Sequence, residues 1–217
     1  MSIRVIIADD HTLLRSGLRA LLARTPDIRV IAEAQDGREA MALVGVHQPD
    51  VVLMDVAMLG LNGLEAAGHA AKHYPHVRVI MLSMHKNEEY VLRALQVGAA
   101  GYLLKDAAAG ELEAAIRAVM AGEQYLSRAV AQQLADYEER FGGQRSEDNA
   151  FDRLTARERE VLQLIAEGNT MQQIASTLGI SVKTVETHRY RLMDKLNIHH
   201  VTGLVRYAVR AGIVQDE

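Results

Sequence analysis

Asp9 and Asp10 follow the apolar run IRVIIA, Asp55 follows VVLM, Ser83 follows VIML and Lys105 follows GYLL. In an open α/β sheet the loops after the carboxyl ends of parallel strands converge on one crevice. These five polar groups are therefore expected to meet. Three carboxylates there predict a site for a hard divalent cation, Mg2+ or Mn2+, with one carboxylate left as a nucleophile. Two bare carboxylates about 4 Å apart repel by roughly 4 kcal/mol at an effective dielectric of about 20. A cation relieves that repulsion and neutralises a phosphoryl group in transfer. Ser83 can donate to one phosphoryl oxygen and Lys105 can pair with another. Taken singly, each residue has a plainer use. Asp9 or Asp10 can cap the first helix, Asp55 can sit in a turn, and Lys105 can be solvated.

The elements that must position these groups alternate. Short β-branched runs at 3–8, 28–34, 51–54, 77–82 and 102–104 are separated by helical patterns at 12–23, 37–46, 63–73, 87–97 and 107–121. That is (βα)5, an α/β doubly wound parallel sheet with helices on both faces. The first helix places Leu14, Leu18, Leu21 and Leu22 on one stripe. A further helix over 128–140 has Val130, Leu134 and Tyr137 on one face. The polar, Gly-bearing stretch 142–149 reads as a flexible linker. The expected domains are 1–122, a connecting helix and linker over 123–150, and a small all-α four-helix domain over 151–217.

Composition narrows the classes. Of 217 residues, 49 % are hydrophobic and 24 % charged, an ordinary globular mix. Cys is absent, which excludes disulfides and thiolate chemistry. The first apolar run is too short for a signal peptide, and no stretch approaches the ~18 apolar residues of a membrane span. A cytoplasmic protein without membrane contact is expected. The net charge of −4 means that nucleic-acid binding must come from a local surface.

The C-terminal text is purely helical. Thr155 and Glu158 form a capping box before Val161, Leu162 and Ile165. Gly168 stops that helix, Thr170 caps the next over 171–178, Gly179 ends it, and Ser181 caps a third over 182–196. Within the third helix, Val182, Val185, Leu192 and Leu196 are expected in the core. Lys183, Glu186, Thr187, Tyr190 and Asp194 then face outward and can read base edges in a major groove. His188, Arg189, Arg191 and Lys195 can flank them and touch phosphates. On charge alone, a small interaction module with a solvated charged helix fits as well. A fourth helix runs to a stop near Gly212. Val205 and Val209 on it exceed what one core face needs and form a candidate dimer patch, the alternative being ordinary core packing. His199 and His200, without a partner at metal spacing, read as surface residues.

DD, then LMD, MLS and GYLLK, in that order over residues 3–121, resemble the receiver domain of bacterial response regulators. The resemblance implies that Asp55 accepts phosphate. Asp9, Asp10, Asp55 and the backbone carbonyl of Ala57 would hold Mg2+ or Mn2+. Ser83 and Tyr102 would be the switch pair, and Lys105 would read the phosphate. The family usually carries proline after the acceptor, in an M-P-G-x-x-G pattern, where this chain has Met58-Leu59-Gly60-Leu61-Asn62-Gly63. Leu59 lacks the fixed φ of proline, which implies a looser loop under the metal-binding carbonyl.

LTAREREVLQLIAEG followed by IASTLGISVKTVETHRYRLMDKL is similar to the LuxR-type DNA-binding domain over residues 153–213. The helix starting near Val182 would then be the recognition helix. Lys183 and Thr184 would contact the DNA backbone, and Glu186, Thr187 and Tyr190 would face bases. Residues 169–173 replace a stretch that often carries lysines. Fewer released counterions imply a shallower salt slope and a dependence on dimerisation.

Together the two resemblances imply a phosphorylation-controlled transcription factor of the NarL/FixJ type. Its implied partners are a sensor histidine kinase, double-stranded DNA, a second copy when phosphorylated, and RNA polymerase as a further candidate. Tyr102 would turn inward on phosphorylation. Such a protein is not an enzyme beyond taking up and slowly losing its own phosphate. A phosphatase of the haloacid-dehalogenase type would want Asp-x-Asp after the first strand, and here the pair is adjacent. A DNA-binding regulator governed by a ligand or partner protein, without phosphorylation, is the alternative.

Overall fold

The computed structural model describes residues 2–58, 61–84, 88–141, 153–211 and 213–214, with backbone alone at 88–89, 137–141 and 210. Leu59, Gly60, the stretch 142–149 expected as a linker, and Gly212 lie outside the described residues, as does the side chain of Tyr137. The chain divides into two units, residues 1–143 and 144–217.

In the first unit the strands are β1 (Ile3–Ala8), β2 (Ile28–Ala34), β3 (Val51–Asp55), β4 (Arg78–Ser83), β5 (Gly101–Leu104) and β6 (Tyr125–Leu126). They form one parallel sheet in the order β2-β1-β3-β4-β5-β6. The helices are α1 (Thr12–Leu22), α2 (Gly37–His47), α3 (Gly63–His73), α4 (Glu88–Gln96), α5 (Ala108–Met120) and α6 (Arg128–Phe141). Successive strand residues point to opposite faces, so each strand feeds two cores. Val5 and Ile7 join Leu18, Leu22, Leu112 and Ile116 of α1 and α5. Ile6 and Ala8 join Val44, Leu64, Tyr90 and Val91 of α2, α3 and α4. β2 pairs on one side of β1, and the chain then crosses from β2 so that β3 pairs on the other. Ligand crevices form at such a reversal of strand order.

The five expected strands and helices are present, with one strand more. β6 has two residues, too few to show a period in sequence. Ser127, just after it, completes the edge: its amide donates to the Tyr102 carbonyl at 2.9 Å, and its hydroxyl accepts from the Leu104 amide at 3.1 Å. α6 packs on the same unit through buried Val130 and partly buried Leu134. On α1, Leu18 and Leu22 are buried and Leu14 and Leu21 half-buried; Arg15 is buried as well.

The second unit has α7 (Ala156–Ala166), α8 (Met171–Leu178), α9 (Val182–Leu196) and α10 (Val201–Arg210). Capping boxes start α7 (Thr155, Glu158) and α8 (Thr170, Gln173). Gly179 closes α8 in the left-handed region at φ 64°, and the Ser181 side chain caps α9. Leu162, Ile174, Val185, Leu192, Leu204 and Ala208 form the core. Val182 departs from expectation, at 38 % exposed. It is the first helical residue, and its Cβ tilts toward the helix start, away from the core.

Two glycines set how closely the helices approach the crevice. A Cβ on Gly63, the first residue of α3, would lie 1.8 Å from the Asp55 carbonyl oxygen. A Cβ on Gly37, the first residue of α2, would lie 2.4 Å from the Leu61 carbonyl oxygen. Gly17, inside α1, faces open space. Overpacking typically costs about 1–3 kcal/mol, so Gly63→Ala is expected to lower the urea midpoint by at least that equivalent. Gly17→Ala should instead gain about 0.5–1 kcal/mol from better helix propensity. Equal midpoints for the two variants would contradict the close approach.

Candidate functional site

The turn after β1 carries Asp9 and Asp10, and Asp55 is the last residue of β3. Because β1 and β3 are neighbours at the reversal of strand order, their carboxyl ends deliver three acids to one place. Carboxylate oxygens of all three and a ring nitrogen of His11 lie within 4.8 Å of one another. Lys105, just past β5, reaches in from the other side. Its Nζ is 2.9 Å from Asp9 Oδ2 and 2.8 Å from Asp55 Oδ2, and its side chain is 5 % exposed. Lys105 is therefore not a solvated lysine. Nor do Asp9 and Asp10 cap α1, whose N-cap is His11 without a side-chain bond. Asp9 Oδ1 instead accepts from the His11 amide at 2.8 Å.

Burial pushes the Asp55 carboxyl up to about 7; the Lys105 ammonium opposes this, and Asp9 and Asp10 add to it. Burial works against the Lys105 charge, yet Asp55 and Asp9 outweigh it and raise its pKa. One ammonium cannot balance three carboxylates. Asp9 Oδ2, Asp10 Oδ1 and Asp55 Oδ2 are buried oxygens whose near partners among the described residues are the Lys105 ammonium and the His11 ring. Such a set of hard oxygens fits a divalent cation of the Mg2+ class. The Ala57 carbonyl, expected as a further ligand, belongs to the same loop, whose Ala57 amide sits 3.4 Å from Asp55 Oδ1.

Ser83 ends β4 and is buried beside the site. It hydrogen-bonds Tyr102 of β5. Burial lifts the Tyr102 hydroxyl to about 12, with the Asp55 charge adding to the shift. The tyrosine expected to turn inward is thus already inward, at 0 % exposed. Its ring fills the core over β5, and Ser83 satisfies its hydroxyl there.

On α9 the side chains of Lys183, Glu186, Thr187, Tyr190, Arg191 and Asp194 are exposed, with Tyr190 at 73 %. Thr184, His188 and Arg189 are half-buried. The Thr184 hydroxyl lies 2.8 Å from Ser181 Oγ in the cap, and Thr187 Oγ1 donates to the Lys183 carbonyl at 2.9 Å. Lys195 turns into its own domain: Nζ donates to Glu158 Oε2 at 2.7 Å and to the Arg153 carbonyl at 2.9 Å. On α10, Val205 and Val209 are half-buried and stand outside the core that holds Leu204 and Ala208. His199 and His200 are exposed.

Comparison with known proteins matches both halves. The response regulator receiver domain matches residues 5–117, and the bacterial regulatory proteins of the luxR family match residues 152–208. The chain is 38 % identical over 215 residues to the response regulator UvrY of Escherichia coli (strain K12), covering 99 % of this chain and 97 % of that one. The chain belongs to the NarL/FixJ family of two-component response regulators. The response regulator GacA of Pseudomonas aeruginosa is 39 % identical over 212 residues, covering 98 % of each chain. Among solved structures, the two-component response regulator RcsB in complex with DNA is similar at a TM-score of 0.61 and 26 % identity. That likeness covers 99 % of this chain and 100 % of that one. This response regulator is thus a transcription regulator with a LuxR-type DNA-binding domain, and among its described residues no helix is long and apolar enough to cross a membrane.

Two residues at the acid site of this response regulator escaped sequence reasoning. His11 Nδ1 lies 2.7 Å from Asp10 Oδ1 and 3.1 Å from Asp9 Oδ1. Its adjacency to the acid pair was the available signal. Arg15 Nη1 donates to the Asp9 carbonyl at 2.5 Å, and Nε lies 3.5 Å from Glu33 Oε2. An arginine on an apolar helix stripe is unusual, and that was its signal. The raised Asp55 pKa has a stability consequence. An acid whose folded pKa exceeds its unfolded one contributes fully below the unfolded value and loses that contribution as pH rises through the folded value. From 3.8 to about 7 is that window here. In metal-free buffer, urea midpoints of wild type and Asp55→Asn are expected to converge near pH 4 and separate by about pH 8, with the variant more stable. A gap independent of pH would sink the assignment of a strained buried acid.

Proposed function

We propose that Asp55 accepts a phosphoryl group from the phosphohistidine of a sensor histidine kinase, and that the modified protein binds double-stranded DNA as a homodimer through α9. The observation that supports this reading is the placement of Lys105 between Asp9 and Asp55 at 2.9 and 2.8 Å. An Asp55 oxygen attacks phosphorus, the N–P bond breaks, and the imidazole leaves with its electron pair. Asp9, Asp10, Asp55 and the Ala57 carbonyl would hold Mg2+ or Mn2+, which when bound neutralises charge on the phosphoryl oxygens and carboxylates. Lys105, already a neighbour of the attacking oxygen, then pairs with a phosphoryl oxygen, and the Ser83 hydroxyl donates to another. The new group adds about −1.5 to −2 charges at neutral pH. Drawing Ser83 to it competes with the Ser83–Tyr102 bond and so reaches β5. Moving a two-state equilibrium from 1:99 to 99:1 takes about 5.5 kcal/mol of differential stabilisation. The protein turns over no outside substrate on this reading; it takes up and slowly loses its own phosphate.

For the DNA contact, exposed Lys183 and Arg191 supply phosphate contacts, and Glu186, Thr187 and Tyr190 face bases, a carboxylate there accepting from cytosine N4. Thr184 and His188 lie at the rim of the same face. Val205 and Val209 supply the dimer patch, RNA polymerase is a candidate partner, and the compartment is the cytoplasm. Operation without phosphorylation, under a ligand or partner protein, keeps one supporting observation: Tyr102 is already inward.

Incubation with acetyl phosphate and Mg2+ is expected to label wild type and leave Asp55→Asn unlabelled. Retained label would move the acceptor elsewhere. Beryllofluoride with Mg2+ should raise DNA affinity, whereas unchanged affinity would favour operation without phosphorylation. Removing one phosphate contact lowers the salt slope by about one. Lys183→Ala is expected to do this with thermal stability intact. Lys195→Ala should instead lower the thermal midpoint, because it strips buried Glu158 of its partner.

A further inference from the structure

The last two turns of α3 carry His69 and His73. Residues four apart share one helix face, and both side chains are exposed. Their rings stack with centroids 4.1 Å apart and planes 27° from parallel, so the two are side by side on the face, and a turn of the rings out of the stack brings their in-plane lone pairs onto one ion. His73 Nδ1 lies 3.0 Å from the His69 carbonyl oxygen. A carbonyl can only accept, so Nδ1 carries the proton and the neutral ring keeps its lone pair on Nε2. A metal-binding imidazole is commonly fixed this way, its other nitrogen donating to a backbone carbonyl. His73 is also the final residue of α3, where the partial negative charge of a helix end favours a cation. Lys72 in the same turn opposes one. Burial, His73 and Lys72 lower the His69 pKa.

We propose that His69 and His73 chelate a divalent transition cation of the Zn2+, Ni2+ or Cu2+ class. Imidazole suits these ions, whereas Mg2+ and Ca2+ take oxygen. The site lies about 9–15 Å along α3 from Gly63 at the carboxylate crevice, at about 1.5 Å rise per residue. Water would fill the remaining coordination positions. A cation bound there clamps successive turns of α3, and by mass action it stabilises the folded first unit.

The test uses the full-length protein without a histidine tag, in excess Mg2+ so that hard-cation sites are filled. Ni2+ is titrated by calorimetry, and imidazole signals of the nine histidines are followed by 1H–15N correlation. His69 and His73 signals are expected to broaden first. Joining two ligands on one scaffold strengthens binding by roughly a hundredfold or more. His73→Gln should lose about that factor, and His69→Gln/His73→Gln should lose the site. Cu2+ paramagnetic resonance should count two ring nitrogens in wild type and one in either single variant. Circular dichroism checks that the variants fold, and the result must hold in Asp9→Asn, which disables the carboxylate site. Equal Ni2+ affinity in wild type and the double variant, or first broadening at His11, would overturn the proposal.

Discussion

Two buried carboxylates sharing one buried ammonium, with the partly exposed Asp10 beside them, constrain the rest of the first unit. Lys105 touches Asp9 and Asp55 at once. Water no longer screens the acids, so their mutual repulsion acts in a medium of low effective dielectric. Burial first, and the neighbouring Asp9 and Asp10 after it, push the Asp55 carboxyl up, against the pull of Lys105. A buried group in such a state answers strongly to any added charge. The same burial that makes the cluster costly makes it sensitive.

The scaffold is arranged to keep these groups from relaxing apart. Asp9 is tied through its backbone carbonyl by Arg15, and through Oδ1 by the His11 amide. Asp55 is backed by Gly63, which lets the start of α3 press on the strand end, while Gly37 lets α2 press on the loop at Leu61. These contacts bracket the loop that lacks the proline common in the family. The Gly63 amide donating to the Val56 carbonyl at 3.0 Å pins its two ends together. Ser83 links the acid cluster to the core through Tyr102. Ser83 thus stands between the acid cluster and β5, and α6 packs against the same core through Val130.

The second unit divides its residues differently. Val185, Leu192 and Leu196 bury one stripe of α9 against α7 and α8. That leaves an exposed face of Lys183, Glu186, Thr187 and Tyr190, on which Thr187 bonds only its own helix among the described residues. Lys195 belongs to the core side, since buried Glu158 holds its charge. A cation count along the helix overstates what is free to meet phosphate.

Much of this was legible in the chain itself. The period-2 and period-3.6 patterns and the caps at Thr155, Thr170 and Ser181 gave element types and order. Polar residues set directly after apolar runs marked Asp9, Asp10, Asp55, Ser83 and Lys105, because a parallel sheet gathers its strand ends on one edge whatever the sequence between them. Other features needed the tertiary structure. β6 is too short to carry a period and exists because Ser127 can complete the edge of β5. The orientation of Tyr102, the burial of Arg15, the diversion of Lys195 to Glu158 and the exposure of Val182 depend on which partners neighbouring elements supply. The sequence determined which residues could reach a common place. Three-dimensional packing decided which of them meet there, because side-chain direction and desolvation are properties of the surroundings and are not encoded in any one segment.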